Sequence, residues 1–194
     1  MLRAQAFSAV VAFALVSVPA QAIPFLFSTH MSGLNEVPPN ASTATGFTKV
    51  ILNQGANTIE VDVTWSGLIG GTASAAHIHC CTAPGTSTGV AVPYVGFPGA
   101  TSGTYSHLFD LTLISTYNAT FLAGPGGGTA LGAENALILG LFSGNAYSNI
   151  HNRTFPGGEI RGWLEVPEPA SLGLLGFGLA AFGVLRRRRT ISSS

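Results

Sequence analysis

Short runs of alternating hydrophobic and polar residues fill the middle of the chain and predict β-strands. In residues 58–65 every second residue, from Ile59 to Trp65, is apolar, so these side chains share one face of an extended strand. Clusters of glycine, proline, asparagine and serine separate the runs. The other predicted strands are residues 25–32, 45–52, 75–79, 90–95, 105–113, 147–151 and 157–165.

Two segments favour helix instead. Residues 130–142 are the best helix candidate, with Gly144 as the terminator, and residues 115–122 have room for one or two helical turns. The prediction is therefore a mainly β domain with antiparallel strands and one or two short helices. Short strands at this spacing predict a Greek-key-like, immunoglobulin-like sandwich or barrel.

The start of the chain is an export signal rather than part of this domain. Arg3 is followed by an apolar run of about 13 residues, and the segment closes on Ala20, Gln21 and Ala22, which suits signal peptidase. We predict that residues 1–22 are a cleaved signal peptide. The alternative, a permanent N-terminal anchor, suits the run poorly, because a membrane span needs roughly 20 apolar residues.

The end of the chain predicts a membrane anchor. Residues 170–185 are uncharged, and four consecutive arginines follow. A single C-terminal transmembrane helix is expected there, with its arginines held in the cytoplasm and the preceding residues outside. This leaves residues 23–165, a usual size for one domain, and the tail, residues 166–194. The arginines of the membrane stop are Arg186, Arg187, Arg188 and Arg189.

The charge of the predicted domain argues against nucleic-acid binding. The whole chain is formally neutral, with eight basic and eight acidic residues. Residues 23–165 hold only three of the basic residues but seven of the acidic ones. A mildly acidic domain whose single lysine is Lys49 offers no positive footprint for a phosphate backbone.

Histidines are the strongest candidates for site chemistry. His77 and His79 are two residues apart, so on a strand both imidazoles project from one face and can bind one metal ion. His151 and the carboxylate of Glu159 can complete the set, which suits copper or zinc. The simpler interpretation is that these histidines satisfy backbone groups at strand ends.

Other polar residues leave alternatives open. Glu159 and Arg161 form a structural ion pair or belong to a polar network with the histidines. The adjacent Cys80 and Cys81 are two free thiols, a vicinal disulfide or soft metal ligands. Glu36 is expected to orient a turn. No Gly-x-Ser-x-Gly elbow or catalytic cysteine context is visible, so a non-enzymatic protein is expected.

The tail resembles the PEP-CTERM sorting signal. Pro167, Glu168 and Pro169 supply its proline-glutamate-proline motif, ahead of the apolar span and the arginines. The resemblance implies transient anchoring in the inner membrane, processing by an exosortase-type enzyme, and delivery to the cell surface or extracellular matrix. It also implies a host that makes exopolysaccharide, so exopolysaccharide or a matrix protein is a candidate partner. The alternative is a plain tail anchor.

The middle of the chain resembles the CHRD family of extracellular domains. The stretches SGLNEVPPNASTATG, TWSGLIG, AAHIHC and YSNIHNRTFPGGEIRGWL carry the match. The resemblance implies an extracellular, immunoglobulin-like β-sandwich without an established enzymatic activity. A non-enzymatic binding or structural module at the cell surface or in the exopolysaccharide matrix is therefore the leading hypothesis.

Two alternatives accompany it. The Gly-Leu and His-x-His order is similar to the copper-binding part of Cu/Zn superoxide dismutases, which supports a metal-binding or redox protein that uses His77, His79 and His151. The second alternative is a carbohydrate-binding module built on surface aromatic side chains. Its candidate residues are Tyr94, Phe97, Tyr105 and Trp163.

Overall fold

The alternating segments assemble into one antiparallel sheet. The computed structural model describes residues 23–167, and in that range eight strands pair in the order β5-β4-β7-β8-β1-β2-β3-β6. The strands are β1 (Phe25–Ser32), β2 (Thr45–Asn53), β3 (Thr58–Ser66), β4 (Ala73–Cys80), β5 (Val90–Pro93), β6 (Gly103–Asp110), β7 (Ala146–Asn152) and β8 (Ile160–Trp163). Two helices, α1 (Ala119–Ala123) and α2 (Ala130–Phe142), lie between β6 and β7.

The mainly β, antiparallel architecture with short helices is confirmed. The predicted helix over residues 130–142 has the bounds of α2, which Thr129 caps by accepting the Gly132 N–H at 3.0 Å. The apolar positions of β3 from Ile59 to Trp65 are buried, as alternation requires. All eight strands belong to one hydrogen-bonded sheet, whereas a sandwich has two, and the Greek-key-like arrangement stays a prediction.

The sheet curls around its own core. Thr48 on β2 donates a hydrogen bond to Ser148 on β7 at 2.9 Å, although β8 and β1 separate these strands in the sheet. The Tyr94 hydroxyl lies 3.0 Å from the same serine oxygen. These buried groups satisfy one another inside the concave face, where an unpaired hydroxyl would be costly. Leu137 and Leu141 of α2 pack into this core.

Strands β4 and β7 present two unlike faces. Their paired register places Ala76 opposite Ile150, and both side chains are in the buried core. Residues one position away point to the other face, because strand side chains alternate. That face, opposite the core, carries the histidines.

The predicted targeting segments lie outside the described residues. These are the signal peptide at residues 1–22 and the transmembrane helix at residues 170–185 with the arginines that follow it. Of the sorting motif, the structure describes Pro167 alone. Across residues 23–167, no helix combines the length and apolar character that a membrane span needs.

Candidate metal centre

The antiparallel pairing of β4 and β7 brings the three predicted histidines together. His77 and His79 share a face of β4, and His151 pairs with Ala75 on the neighbouring strand. The ring centroids of His77 and His151 lie 4.9 Å apart, and those of His77 and His79 lie 5.4 Å apart. One ring nitrogen of each histidine lies within 4.8 Å of the others. The cluster is half-buried to buried.

Backbone carbonyls fix two of the three imidazoles. His79 Nδ1 donates to the Thr88 carbonyl oxygen at 2.8 Å, and His151 Nδ1 donates to the Pro156 carbonyl oxygen at 2.9 Å. A carbonyl only accepts, so Nδ1 carries the proton and Nε2 holds a free lone pair in the neutral ring. This arrangement orients metal-binding histidines in proteins.

Each histidine also has one buried ring nitrogen without a partner. Within the described residues these atoms are His77 Nδ1, His79 Nε2 and His151 Nε2. An unpaired buried polar atom normally costs free energy, so these three nitrogens are candidates for binding a ligand. The simpler interpretation was that the histidines satisfy backbone groups. It accounts for Nδ1 of His79 and Nδ1 of His151, but it leaves the three unpartnered nitrogens unexplained.

The histidines are held neutral. The pKa of His77 is lowered to about 3, mainly by burial and in addition by the neighbouring His151 and His79. Burial likewise lowers the pKa of His79 to about 4, although the Thr88 carbonyl opposes the shift. The pKa of His151 is lowered by the same cause. Neutral imidazoles are the form that binds a metal ion, so the lone pairs are available at neutral pH.

The spacing suits an ion after a small closure of the rings. Nitrogen ligands at about 2.1 Å from an ion in tetrahedral geometry lie roughly 3.4 Å from one another. The nitrogens now lie up to 4.8 Å apart, so binding an ion requires them to approach one another by up to about 1.4 Å. Three protein ligands leave a fourth position open.

A polar layer supports the cluster from the adjacent strands. The Tyr147 ring stacks on His79 with centroids 4.6 Å apart and planes 4° apart, and the Arg161 guanidinium lies 4.1 Å from the Tyr147 centroid. Arg161 in turn pairs with Glu36 at 3.0 Å, and their side chains are only 2% and 4% exposed. Burial raises the pKa of Glu36 to about 7 against the opposing charge of Arg161.

Asn149 closes this layer. Its side-chain amide donates to Glu36 at 2.5 Å and to the Ile160 carbonyl at 3.1 Å. Asn149 also faces His77 across the strand pair and Arg161 on its other side. These contacts position the buried ion pair beside the histidines.

Glu159 serves a different part of the fold. Its carboxylate is fully buried and accepts the Ile69 N–H at 2.7 Å and the Gly70 N–H at 3.2 Å. Ser42 and Asn152 also donate to it. Glu159 therefore joins neither the histidine cluster nor an ion pair with Arg161, and it holds the loop after β3 instead.

The CHRD domain model of the protein-family comparison matches residues 27–164. The chain belongs to the CHRD domain family. The resemblance seen in its motifs is thereby confirmed, and residues 165–189 match the PEP-CTERM protein-sorting motif. This motif implies export, transient membrane anchoring and processing by an exosortase. No curated protein and no solved structure matches the chain.

In this CHRD domain the two cysteines form a vicinal disulfide. The Cys80–Cys81 bond leaves no free cysteine in residues 23–167. Cys80 follows His79 directly but is buried on the core side of β4. Of the three states that the sequence left open, the structure has the disulfide.

The proposed carbohydrate-binding aromatics mostly lie inside the CHRD domain. Tyr94 and Tyr105 are buried in the core, and Phe97 stacks on Trp65 with centroids 4.5 Å apart. Trp163 differs, because it lines a surface groove of ≈ 440 Å³ beside the start of the sorting tail. The other lining residues include His30, Asn35, Phe47 and Glu165.

Some residues of the site escaped the sequence analysis. Thr88 and Pro156 act through backbone carbonyls, which every residue type possesses, so no sequence signal marks them. Tyr147 and Asn149 were identifiable in principle, since they precede His151 at intervals of two on β7 and must share its face.

Proposed function

We propose that this CHRD protein is a metal-binding module displayed at the cell surface, and that its three-histidine centre takes Cu²⁺ or Zn²⁺. The observation that carries the proposal is that His77, His79 and His151 each place a ring nitrogen within 4.8 Å of the others and each have a buried ring nitrogen without a hydrogen-bond partner. Imidazole suits both ions, and the usual order of affinities ranks Cu²⁺ above Zn²⁺.

The surrounding charges agree with such a role. The three ligands are neutral, and above about pH 7 the charge of Arg161 next to them is balanced by the ionised Glu36. Among the residues that the structure describes, no uncompensated positive charge next to the site therefore repels a divalent cation. The domain holds the ion rather than turning over a substrate in this proposal, in keeping with the non-enzymatic expectation from the sequence.

Elemental analysis of the full chain, purified in detergent, tests the proposal. We expect about one copper or zinc ion per chain after loading and desalting, and loss of that ion in the His77→Ala, His79→Ala double variant. His107→Ala is the matched control, since His107 is an exposed histidine on β6. Metal content equal in all three proteins, or absent from the wild type, would overturn the proposal.

The groove at Trp163 favours a second function, binding of exopolysaccharide or a matrix protein at the cell surface. An aromatic ring flanked by polar side chains is suited to a sugar face. The sorting motif supports delivery to that location. Sedimentation of the chain with host exopolysaccharide should fall in Trp163→Ala and persist in the histidine double variant. Equal sedimentation of wild type and Trp163→Ala would contradict this function.

A further inference from the structure

The Cys80–Cys81 disulfide is a second reactive group of the domain. Cys81 is exposed, whereas Cys80 is only 2% exposed. Both cysteines line a cleft of ≈ 410 Å³ together with Thr88 and residues of α2. Thiol–disulfide exchange needs access to one sulfur of the bond. Because Cys81 is the exposed residue of the pair, its Sγ is the better placed of the two sulfurs for attack by an incoming thiol.

Helix α2 offers a partner for the reduced state. The Ala136 carbonyl oxygen lies 3.3 Å from Cys81 Sγ and 3.9 Å from Cys80 Sγ. A disulfide sulfur has no proton to donate, but a thiol does, so the carbonyl becomes a hydrogen-bond acceptor only on reduction. Gly140 provides the space for both sulfurs, since a Cβ there would overlap Cys80 Sγ.

The loop that leaves Cys81 reaches the histidine centre. Its Thr88 carbonyl accepts from His79 Nδ1, and the Thr88 N–H donates to the Tyr147 hydroxyl at 3.2 Å. A disulfide between neighbouring cysteines closes a small covalent ring, which restricts the backbone at the base of this loop. Opening the ring restores that freedom next to His79. Outer hydrogen-bond partners orient metal ligands, so the change acts on metal affinity.

We infer that Cys80–Cys81 is a thiol–disulfide exchange site for a dithiol reductant, and that its reduction weakens metal binding at the three-histidine centre. The second half rests on the proposed function. One thiolate of the dithiol attacks Cys81 Sγ, the bond between the cysteines breaks, and Cys80 leaves as a thiolate that takes a proton. The second thiol of the reductant then displaces Cys81. The dithiol becomes a disulfide, and the protein gains two electrons and two protons.

The exchange is tested by counting thiols. The folded full chain in detergent is treated with dithiothreitol and freed of it. It is then unfolded in urea with iodoacetamide, so that the buried Cys80 is blocked as well, and weighed by mass spectrometry. We expect two blocked thiols per chain under conditions that leave the fold intact. If thiols appear only when dithiothreitol is added to the chain already unfolded in urea, the exchange site is overturned.

The coupling is tested with Zn²⁺, which does not oxidise thiols, in competition with a chromophoric chelator. The dithiothreitol is removed before titration. We expect the dissociation constant to rise about tenfold on reduction, the lower end for loss of an outer ligand partner. The Cys80→Ser, Cys81→Ser variant should show the weaker affinity with or without dithiothreitol. The reduced His77→Ala, His79→Ala variant measures zinc held by the thiols alone, which is subtracted.

The outcomes separate the two proposals. Equal zinc affinity of the oxidised wild type, the reduced wild type and the double serine variant overturns the coupling while the metal site stands. Absence of zinc from the oxidised wild type overturns the coupling, and absence of copper as well, in the elemental analysis, overturns the proposed function. The thiol count then decides the exchange site by itself.

Discussion

At the scale of single residues, the protonation of each imidazole decides what the cluster can do. The spacing of His77 and His79 was enough to predict a shared face, because strand side chains alternate. Whether His151 joins them depends on the register of β7 against β4, which pairs segments about 70 residues apart. The sequence contains no local signal for such a register, so the cluster was a hypothesis until the strands were paired.

The depressed pKa values predict loss of stability in acid for the metal-free chain. The unfolded chain takes up protons at its histidines below about pH 6.5, whereas folded His77 and His79 do so only near pKa values of about 3 and about 4. The free energy of unfolding should therefore fall as pH drops below 6.5, by at most about 1.4 kcal/mol per histidine per pH unit. Urea titrations at pH values from 8 to 5 measure this fall in the free energy of unfolding.

Comparison with variants isolates the contribution of the histidines to the pH dependence of the free energy of unfolding. Glu36 acts in the opposite direction, because its raised pKa favours the folded state as pH falls from about 7 to 4.5. That contribution is present in every variant. The His77→Ala, His79→Ala protein should show a shallower decline than the wild type, and His107→Ala should match the wild type. Parallel curves for all three would contradict the pKa depression.

The buried ion pair gives a second prediction at this scale. Glu36→Gln leaves the Arg161 guanidinium buried without a counter-charge, and we expect it to lower the free energy of unfolding by about 3–5 kcal/mol at pH 8. Asp62→Asn is the matched control, since it breaks the partly exposed ion pair with Lys49, whose attraction solvent screens. Urea unfolding compares them. Equal losses in the two variants would refute a special role for burial.

At the scale of secondary-structure elements, the local sequence pattern was sufficient to predict whether a segment is a strand or a helix. It often predicted the first and last residues of the element as well. The runs at residues 25–32 and 130–142 became β1 and α2 without a change of limits. The last strand was predicted over residues 157–165 but is shorter in the structure, where it is β8. Pro156 to Gly158 form a turn, and Glu159 accepts hydrogen bonds from a loop distant in sequence. The state of Cys80 and Cys81 could not be predicted, since it depends on where the sulfurs pack rather than on their neighbours in sequence.

Helix α2 and the disulfide are predicted to depend on one glycine. Gly140→Ala would ordinarily favour a helix, but its Cβ overlaps Cys80 Sγ and lies 2.8 Å from Cys81 Sγ. We expect a net loss of about 1–3 kcal/mol in the free energy of unfolding. Asn135→Ala, at an exposed position of the same helix, should gain roughly 0.5 kcal/mol. A gain in both variants would show that the helix does not press on the sulfurs.

At the scale of the whole molecule, the sequence indicated one β domain between two targeting segments but not the order of the strands. That order joins β1 to both β2 and β8, so the first and last strands of the domain are neighbours. Strand neighbours far apart in sequence are set by how the whole sheet closes over its core, which no short pattern encodes. The start of the sorting tail lies against β1, where Ser28 pairs with Glu165.

This pairing makes the tail separable from the fold. Two backbone hydrogen bonds, of 2.9 and 3.3 Å, join Ser28 to Glu165, and the two described residues that follow, Val166 and Pro167, are exposed. A chain that ends at Glu165 should therefore keep the thermal midpoint of the domain. In an exosortase-bearing host, it should appear in the periplasm or medium instead of the membrane and surface fractions, because the predicted span and the arginines are gone.

A matched variant distinguishes sorting from plain anchoring. Replacing Pro167, Glu168 and Pro169 with alanine keeps residues 170–189, so this protein should still enter the membrane but stay there at its uncleaved mass. Fractionation followed by mass spectrometry measures both proteins. If the alanine variant is processed like the wild type, the tail acts without its motif. If it and the wild type are both retained uncleaved, the tail is a plain anchor and the surface location of the metal site must be abandoned.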